Sequence, residues 1–158
     1  MMLAELEDTG IIFTMPNEDT EGRVLFCQIE DFCRLHPNAR AYTSLAQLRY
    51  LSCIHQVDGV VGNSSSGLAE VPSFKKGTIN IGDRQRGRLR ANSVIDCEPE
   101  RQAIAAALSR LFSDDFQRQL AAAKNLYGDG GASEAIVKTL EEQPLVNLLK
   151  KHFYDLYV

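Results

Sequence analysis

Residues 58–70 read DGVVGNSSSGLAE. Asp58-Gly59-Val60-Val61-Gly62 is a short β-branched run, closed by the polar cluster Asn63-Ser64-Ser65-Ser66-Gly67 and followed by Leu68-Ala69-Glu70 at the start of a short helix. A strand, a tight turn and a helix in that order form the unit from which parallel sheets are built. The same alternation recurs outward from this segment. Toward the N-terminus, residues 1–8 read as the end of a helix stopped by Gly10, and Ile11–Met15 as a buried strand closed by Pro16-Asn17. Next come a helix over about 22–36 with Leu25, Ile29 and Phe32 on one face, a strand at 39–42, and a helix in which Leu48 and Leu51 share the buried stripe. Pro37 ends the first of these helices, because the residue before a proline avoids the helical region. Toward the C-terminus, 78–81 and 93–96 read as strands, and Pro99 suits the first position of a helix carrying Ile104, Leu108 and Leu111. Helices are expected at 113–123 and 132–142, and a last one at 145–156. The fold class is therefore α/β, a Rossmann-like parallel sheet with helices on both faces.

Length and composition bound the function. The 158 residues suffice for one domain with a sizeable core, and 44% hydrophobic with 24% charged residues is ordinary for a globular chain. No apolar run reaches the ~20 residues that span a bilayer. The start, MMLAELEDTG, has no basic region of the secretory kind, so a cytoplasmic setting is expected. Cys27, Cys33, Cys53 and Cys97 form no CxxC pair and have no histidine at ligand spacing, which argues for free, mostly buried thiols and against a metal site or a disulfide framework. A net charge of −4 disfavours nucleic acid as a partner. The charge is uneven, however. Lys75, Lys76, Arg84, Arg86, Arg88 and Arg90 stand against Asp83 alone, so this window is +5 while the rest of the chain is −9. Such a concentration in an acidic protein points to a specific anion site, although many charge runs are only solvated loops.

Chemistry is expected beyond the carboxyl ends of the strands, where open parallel sheets bind their ligands. The 63–67 turn offers three hydroxyls, flanking glycines that allow close backbone approach, and the N–H groups of a helix start, the donors that phosphate oxygens require. A plain Ser/Asn helix cap is the alternative use of the same residues. The segment is neither a GxGxxG fingerprint nor a Walker loop, so neither a nicotinamide cofactor nor ATP hydrolysis is implied. Glu70 is placed to accept bonds from vicinal ribose hydroxyls, though by residue type alone it is a surface glutamate. Arg84 follows the 79–82 strand at the same edge, where its planar fork of donors suits a diphosphate.

At these residues the sequence becomes recognisable. GNSSSGLAEVPSFKKGTINIGDRQRGRLRANSVIDC closely resembles the C-terminal domain of the hydrolysing UDP-N-acetylglucosamine 2-epimerases of sialic-acid biosynthesis, which produce N-acetylmannosamine. IIFTMPNEDTEGR, HPNARAYTSLAQLRYLS, the YGDG loop and the KKHFYDL tail extend the resemblance over almost the whole chain. It implies one half of a glycosyltransferase-B-like architecture with UDP in the cleft, residues 1–143 forming the UDP-binding domain and 144–158 a C-terminal helix. The family's nucleotide contacts fall on Ser64 and Ser65 (phosphate), Glu70 (ribose) and Arg84, and Asn17 and the Ser44-Leu45 backbone match positions lining the same site. UDP or a UDP-N-acetylhexosamine is the implied partner, with no cofactor and no metal. Family catalysis eliminates UDP to a glycal-like intermediate and then adds water, using groups mainly in an N-terminal domain that this chain is expected to lack. No catalytic residue is assigned, and His36, His55 and His152 match no family histidine and read as structural. The chain is expected to be inactive alone. Two other readings share these features: the donor-binding half of a glycosyltransferase, against which the GDRQRGR segment counts, and a non-catalytic nucleotide-sugar-binding module. Leu145, Leu148, Leu149, Phe153 and Leu156 form one apolar stripe, from which a homodimer or domain-swapped pair is expected.

Overall fold

The computed structural model describes residues 6, 8–15, 20–144 and 146. Five strands and six helices lie along them, alternating as far as β4: β1 (Ile11–Thr14), α1 (Thr20–Leu35), β2 (Ala39–Tyr42), α2 (Ala46–Gln56), β3 (Gly59–Gly62), α3 (Ser66–Ala69), β4 (Gly77–Ile81), β5 (Val94–Cys97), α4 (Arg101–Leu111), α5 (Asp114–Ala121) and α6 (Ala132–Glu142). Every strand pairing is parallel, as the alternation requires. The strands do not form one ladder. β1 pairs with β2 in a two-stranded sheet, and β3, β4 and β5 form a three-stranded sheet with β4 central.

The three-stranded sheet is covered on both faces, and residue alternation along β4 shows how. Thr78 faces α3, where its Oγ1 donates to Gly67 O at 2.8 Å. Ile79 faces the opposite layer and packs with Ile95, Ala107, Leu108, Leu111, Phe116 and Leu120 of β5, α4 and α5. A period of two thus feeds two cores. Helix α5 starts on Ser113, whose Oγ accepts the Phe116 N–H, and Asp114 and Asp115 in its first turn oppose the positive end of the helix dipole.

The smaller sheet is capped by α1, with Phe13 edge-on to Phe32 at a 5.7 Å centroid separation. Ile29 and Phe32 are buried, but Leu25 is 46% exposed, against the expected shared face. Leu48 is likewise corrected: it is 80% exposed, whereas Ile54 is buried and Leu51 half-buried. At about 100° per residue Leu48 stands roughly 120° around α2 from Ile54, off the buried stripe. Pro99 precedes α4 by two residues instead of opening it; Glu100 is the N-cap.

The chain divides into two compact units, Met1–Tyr127 and Gly128–Val158. In the second, α6 begins after Gly131, which takes φ of 77°, and none of its residues is buried. Of the helix end expected at 1–8, residues 1–5 and 7 lie outside the described residues and Leu6 and Asp8 are not helical; the C-terminal helix expected at 145–156, Val146 apart, also lies outside them, as does His152. No helix among the described residues is long and apolar enough to cross a membrane.

Candidate functional site

Because all strands of the three-stranded sheet run the same way, the turn after β3 and the loop after β4 emerge at one edge. The turn, Asn63-Ser64-Ser65, uses its three neighbouring hydroxyls differently. Ser66 is half-buried and its Oγ shares a 2.7 Å hydrogen bond with Tyr50 OH of α2, which ties the α2 layer to the turn. Ser64 Oγ accepts the Ser66 N–H at a long 3.4 Å. Ser65 occupies the N-cap position of α3 with a helical backbone and its side chain makes no capping bond. Ser64 and Ser65 are exposed; the Ser65 hydroxyl makes no capping bond, whereas that of Ser64 meets the first N–H of α3 at the edge of hydrogen-bond length.

The helix behind the turn is short, as the sequence implies. α3 is one turn, Ser66–Ala69, and passes at Glu70 into a 3-10 turn, Val71–Phe74. Pro72 disfavours the helical region for Val71 and supplies no N–H, so the helix cannot continue. A single turn contributes little macrodipole. Glu70 consequently ends α3, where it is half-buried, and its carboxylate makes no hydrogen bond or ion pair among the described residues. Asn125 holds this segment from behind, its Nδ2 donating to Ala69 O at 2.7 Å and to Ser73 Oγ at 2.6 Å.

Arg84 is exposed in the loop after β4 and its Nη1 donates to Asn63 Oδ1 at 3.4 Å, beside Ser64. The structure thus brings Ser64, Ser65 and Arg84 to one edge, with Glu70 one helical turn behind. Leu45 lies at the end of the β2–α2 connection, half-buried, as the N-cap residue of α2. Ala46 after it takes φ of 50°, a left-handed conformation costing an alanine about 1 kcal/mol, and its N–H is caught by Ser44 Oγ at 3.2 Å. Asn17 lies outside the described residues.

The basic window does not act as one patch. Arg90 pairs with Asp96 at 3.0 Å, and the Lys75 ammonium donates to Ala123 O, so two of its six cations serve the fold. A cavity of about 530 Å³ opens on the α4 side of β4 and β5, reached by Asp83, Arg86, Arg90, Asp96 and Arg110; Ser64, Ser65, Glu70 and Arg84 do not line it. The thiols correct one expectation: all four cysteines are free, but Cys27 is exposed and the other three are half-buried. Burial pushes the Cys97 thiol up, with the Asp96 and Glu98 carboxylates adding to it, which disfavours its thiolate. His36 stacks on Phe32 at 4.1 Å and His55 lies 6.2 Å from Phe74, consistent with structural roles. Asn63, already part of the expected turn, is held there by Arg84 and Gln85, while Tyr50 and Gln85 are not marked by the sequence, because nothing in a lone Tyr or Gln signals a partner distant in the chain.

The comparisons agree with this architecture. The UDP-N-acetylglucosamine 2-epimerase family model matches residues 1–141. The chain is 36% identical over 156 residues to a Campylobacter jejuni protein named GDP/UDP-N,N'-diacetylbacillosamine 2-epimerase (hydrolyzing), covering 98% of this chain and 40% of that protein. It is 35% identical over 146 residues to a polysialic acid biosynthesis protein of Escherichia coli, covering 92% of this chain and 37% of the relative. A crystal structure of a UDP-N-acetylglucosamine 2-epimerase superposes with a TM-score of 0.66 at 18% identity, over 99% of this chain and 41% of its own. The chain therefore spans about two fifths of the length of the relatives it matches. With a matched family model over nearly its whole length and a parallel α/β fold shared with a solved member, the chain belongs to the UDP-N-acetylglucosamine 2-epimerase family.

Proposed function

We propose that this chain is the UDP-binding part of a hydrolysing UDP-N-acetylhexosamine 2-epimerase, working in the cytoplasm without a metal or cofactor. In that reaction the bond from C1 of the sugar to UDP breaks, water adds, and the sugar leaves inverted at C2: UDP-N-acetylglucosamine gives UDP and N-acetylmannosamine. Ser64 and Ser65 hold phosphate oxygens, Arg84 neutralises the diphosphate, Glu70 accepts the ribose hydroxyls, and Asn17 and Leu45 line the nucleotide site. One observation carries the reading: Arg84 reaches Asn63 at the head of a turn whose next two hydroxyls are exposed, that of Ser65 making no capping bond. The carboxylate of Glu70 supports it, since it is half-buried and has no partner among the described residues, a setting that favours donors from a ligand.

Calorimetry tests the assignment. UDP is expected to bind equally with and without EDTA, and Glu70→Ala to weaken it about 10- to 100-fold, the worth of hydrogen bonds to a charged group. A strict magnesium requirement, or undiminished affinity in Glu70→Ala, rejects the assignment.

A second substrate reading is favoured by the Campylobacter jejuni relative, whose name specifies a diacetylbacillosamine sugar. Supplying the remaining length of a relative as a separate polypeptide and identifying the released sugar by mass spectrometry separates it from N-acetylglucosamine. Self-association through residues 145–156 belongs to the same proposal. Light scattering at micromolar concentration is expected to give a dimer that Leu149→Lys dissociates, and a monomer at every concentration would reject it.

A further inference from the structure

Gln85 is only 3% exposed, although Arg84 and Arg86 on either side of it stand in solvent. Burying a primary amide within a basic surface loop is unfavourable unless a specific partner meets it. Its Nε2 donates to Asn63 O at 2.7 Å, the carbonyl at the head of the serine turn. Its Oε1 has no partner among the described residues, so this one bond is what the side chain is buried for.

The other end of Gln85 is anchored to the sheet. Its backbone carbonyl accepts from Arg90 Nη2 at 3.0 Å. Arg90 Nε reaches Asp96 at 3.0 Å, and Asp96 Oδ1 accepts from Asn80 Nδ2 at 2.7 Å. Asn80 is fully buried on β4, register-paired with Gly62 on one side and Asp96 on the other. A continuous polar chain thus runs from the middle strand through Asp96, Arg90 and Gln85 to Asn63. Arg84 and Gln85, adjacent in sequence, grip the same asparagine, one at its side-chain oxygen and the other at its carbonyl.

We propose that Gln85 is a positioning residue: it fixes the turn at Asn63–Ser65 against Arg84 and so governs recognition of the diphosphate, leaving the nucleoside to other groups. The inference rests on the UDP-binding reading above. Being buried, Gln85 touches no ligand itself; it removes the freedom that the turn and the arginine otherwise lose on binding, which is how preorganisation raises affinity. A purely structural role for the same bond would lower stability without altering the preference between ligands.

Calorimetry on the full chain with UDP and with uridine separates these roles. Gln85→Met keeps the volume and removes the donor; it is expected to weaken UDP about tenfold while leaving uridine unchanged. Gln85→Glu, which sets an acceptor against the Asn63 carbonyl, is expected to show the same selective loss or a larger one. If Gln85→Met does not fold by circular dichroism, Gln85→Glu and Arg90→Lys are read by the same UDP-to-uridine ratio. Loss of both ligands in equal measure, or of neither, overturns the positioning role while UDP binding stands. Failure of the unaltered chain to bind UDP overturns the binding reading and this inference with it.

Discussion

Leu111→Ala lowers the unfolding free energy by about 2–5 kcal/mol, the range for emptying a leucine site in a close-packed core. Leu111 is 1% exposed and meets Ile79, Ile95, Leu108 and Phe116 between the sheet and the α4–α5 layer. Its position depends on two glycines. Gly59 of β3 and Gly77 of β4 are register partners, and together they leave a gap across two strands that the Leu111 methyls fill. A Cβ on Gly59 would stand 2.7 Å from Leu111 Cδ2, and one on Gly77 would collide with Cδ1. Gly77→Ala is therefore expected to cost about 1–3 kcal/mol through overpacking. In the double variant the added methyl enters the space the leucine has left, so the combined loss falls below the sum of the two single losses. Urea unfolding of the four proteins measures this, and strictly additive losses would show that Leu111 does not occupy that gap. The same packing fixes β3 and β4, and with them the turn and the loop that leave their carboxyl ends.

Arg84→Ala is expected to weaken UDP about 10- to 100-fold, the worth of charge-assisted hydrogen bonds to a diphosphate. Uridine, which has no phosphate, keeps its affinity. Arg84→Lys retains the charge but not the planar fork, and falls between the two. The difference between the unaltered protein and Arg84→Ala narrows as salt is raised, because an exposed guanidinium is screened. Competition binding with UDP and uridine at two ionic strengths reads all of this. An equal loss for both ligands would move Arg84 from the phosphate to the nucleoside, and no loss would remove it from the site. Its effect is expected to exceed that of Gln85, which acts only through the residues it holds.

Much of this architecture is written locally. Ile11–Thr14, Ala39–Tyr42 and Gly59–Gly62 stand within a residue of the strands expected between Pro, Gly and Asn, since such punctuation acts on neighbouring backbone alone. The same holds for α6, at 132–142 in both readings. Ser64, Ser65, Glu70 and Arg84 are legible as a group because the strand–turn–helix pattern and the parallel sheet put their loops at one edge. The short length of α3 is also a local matter, set by Pro72 six residues after its start.

Other features depend on partners far along the chain. That Leu48 is exposed while Ile54 is buried follows from which side of α2 meets the rest of the molecule, which helical spacing cannot name. The separation of β1–β2 from β3–β4–β5 is a matter of which strands exchange hydrogen bonds, and a parallel alternation is compatible with several orders. Gln85 is the clearest case. Its residue type and its arginine neighbours mark it as surface, but a carbonyl 22 positions earlier draws it into the interior. Elements and the edge they serve follow from short-range backbone and side-chain preferences. Burial, strand order and the bonds that hold the turn are properties of groups that meet only when the chain is folded.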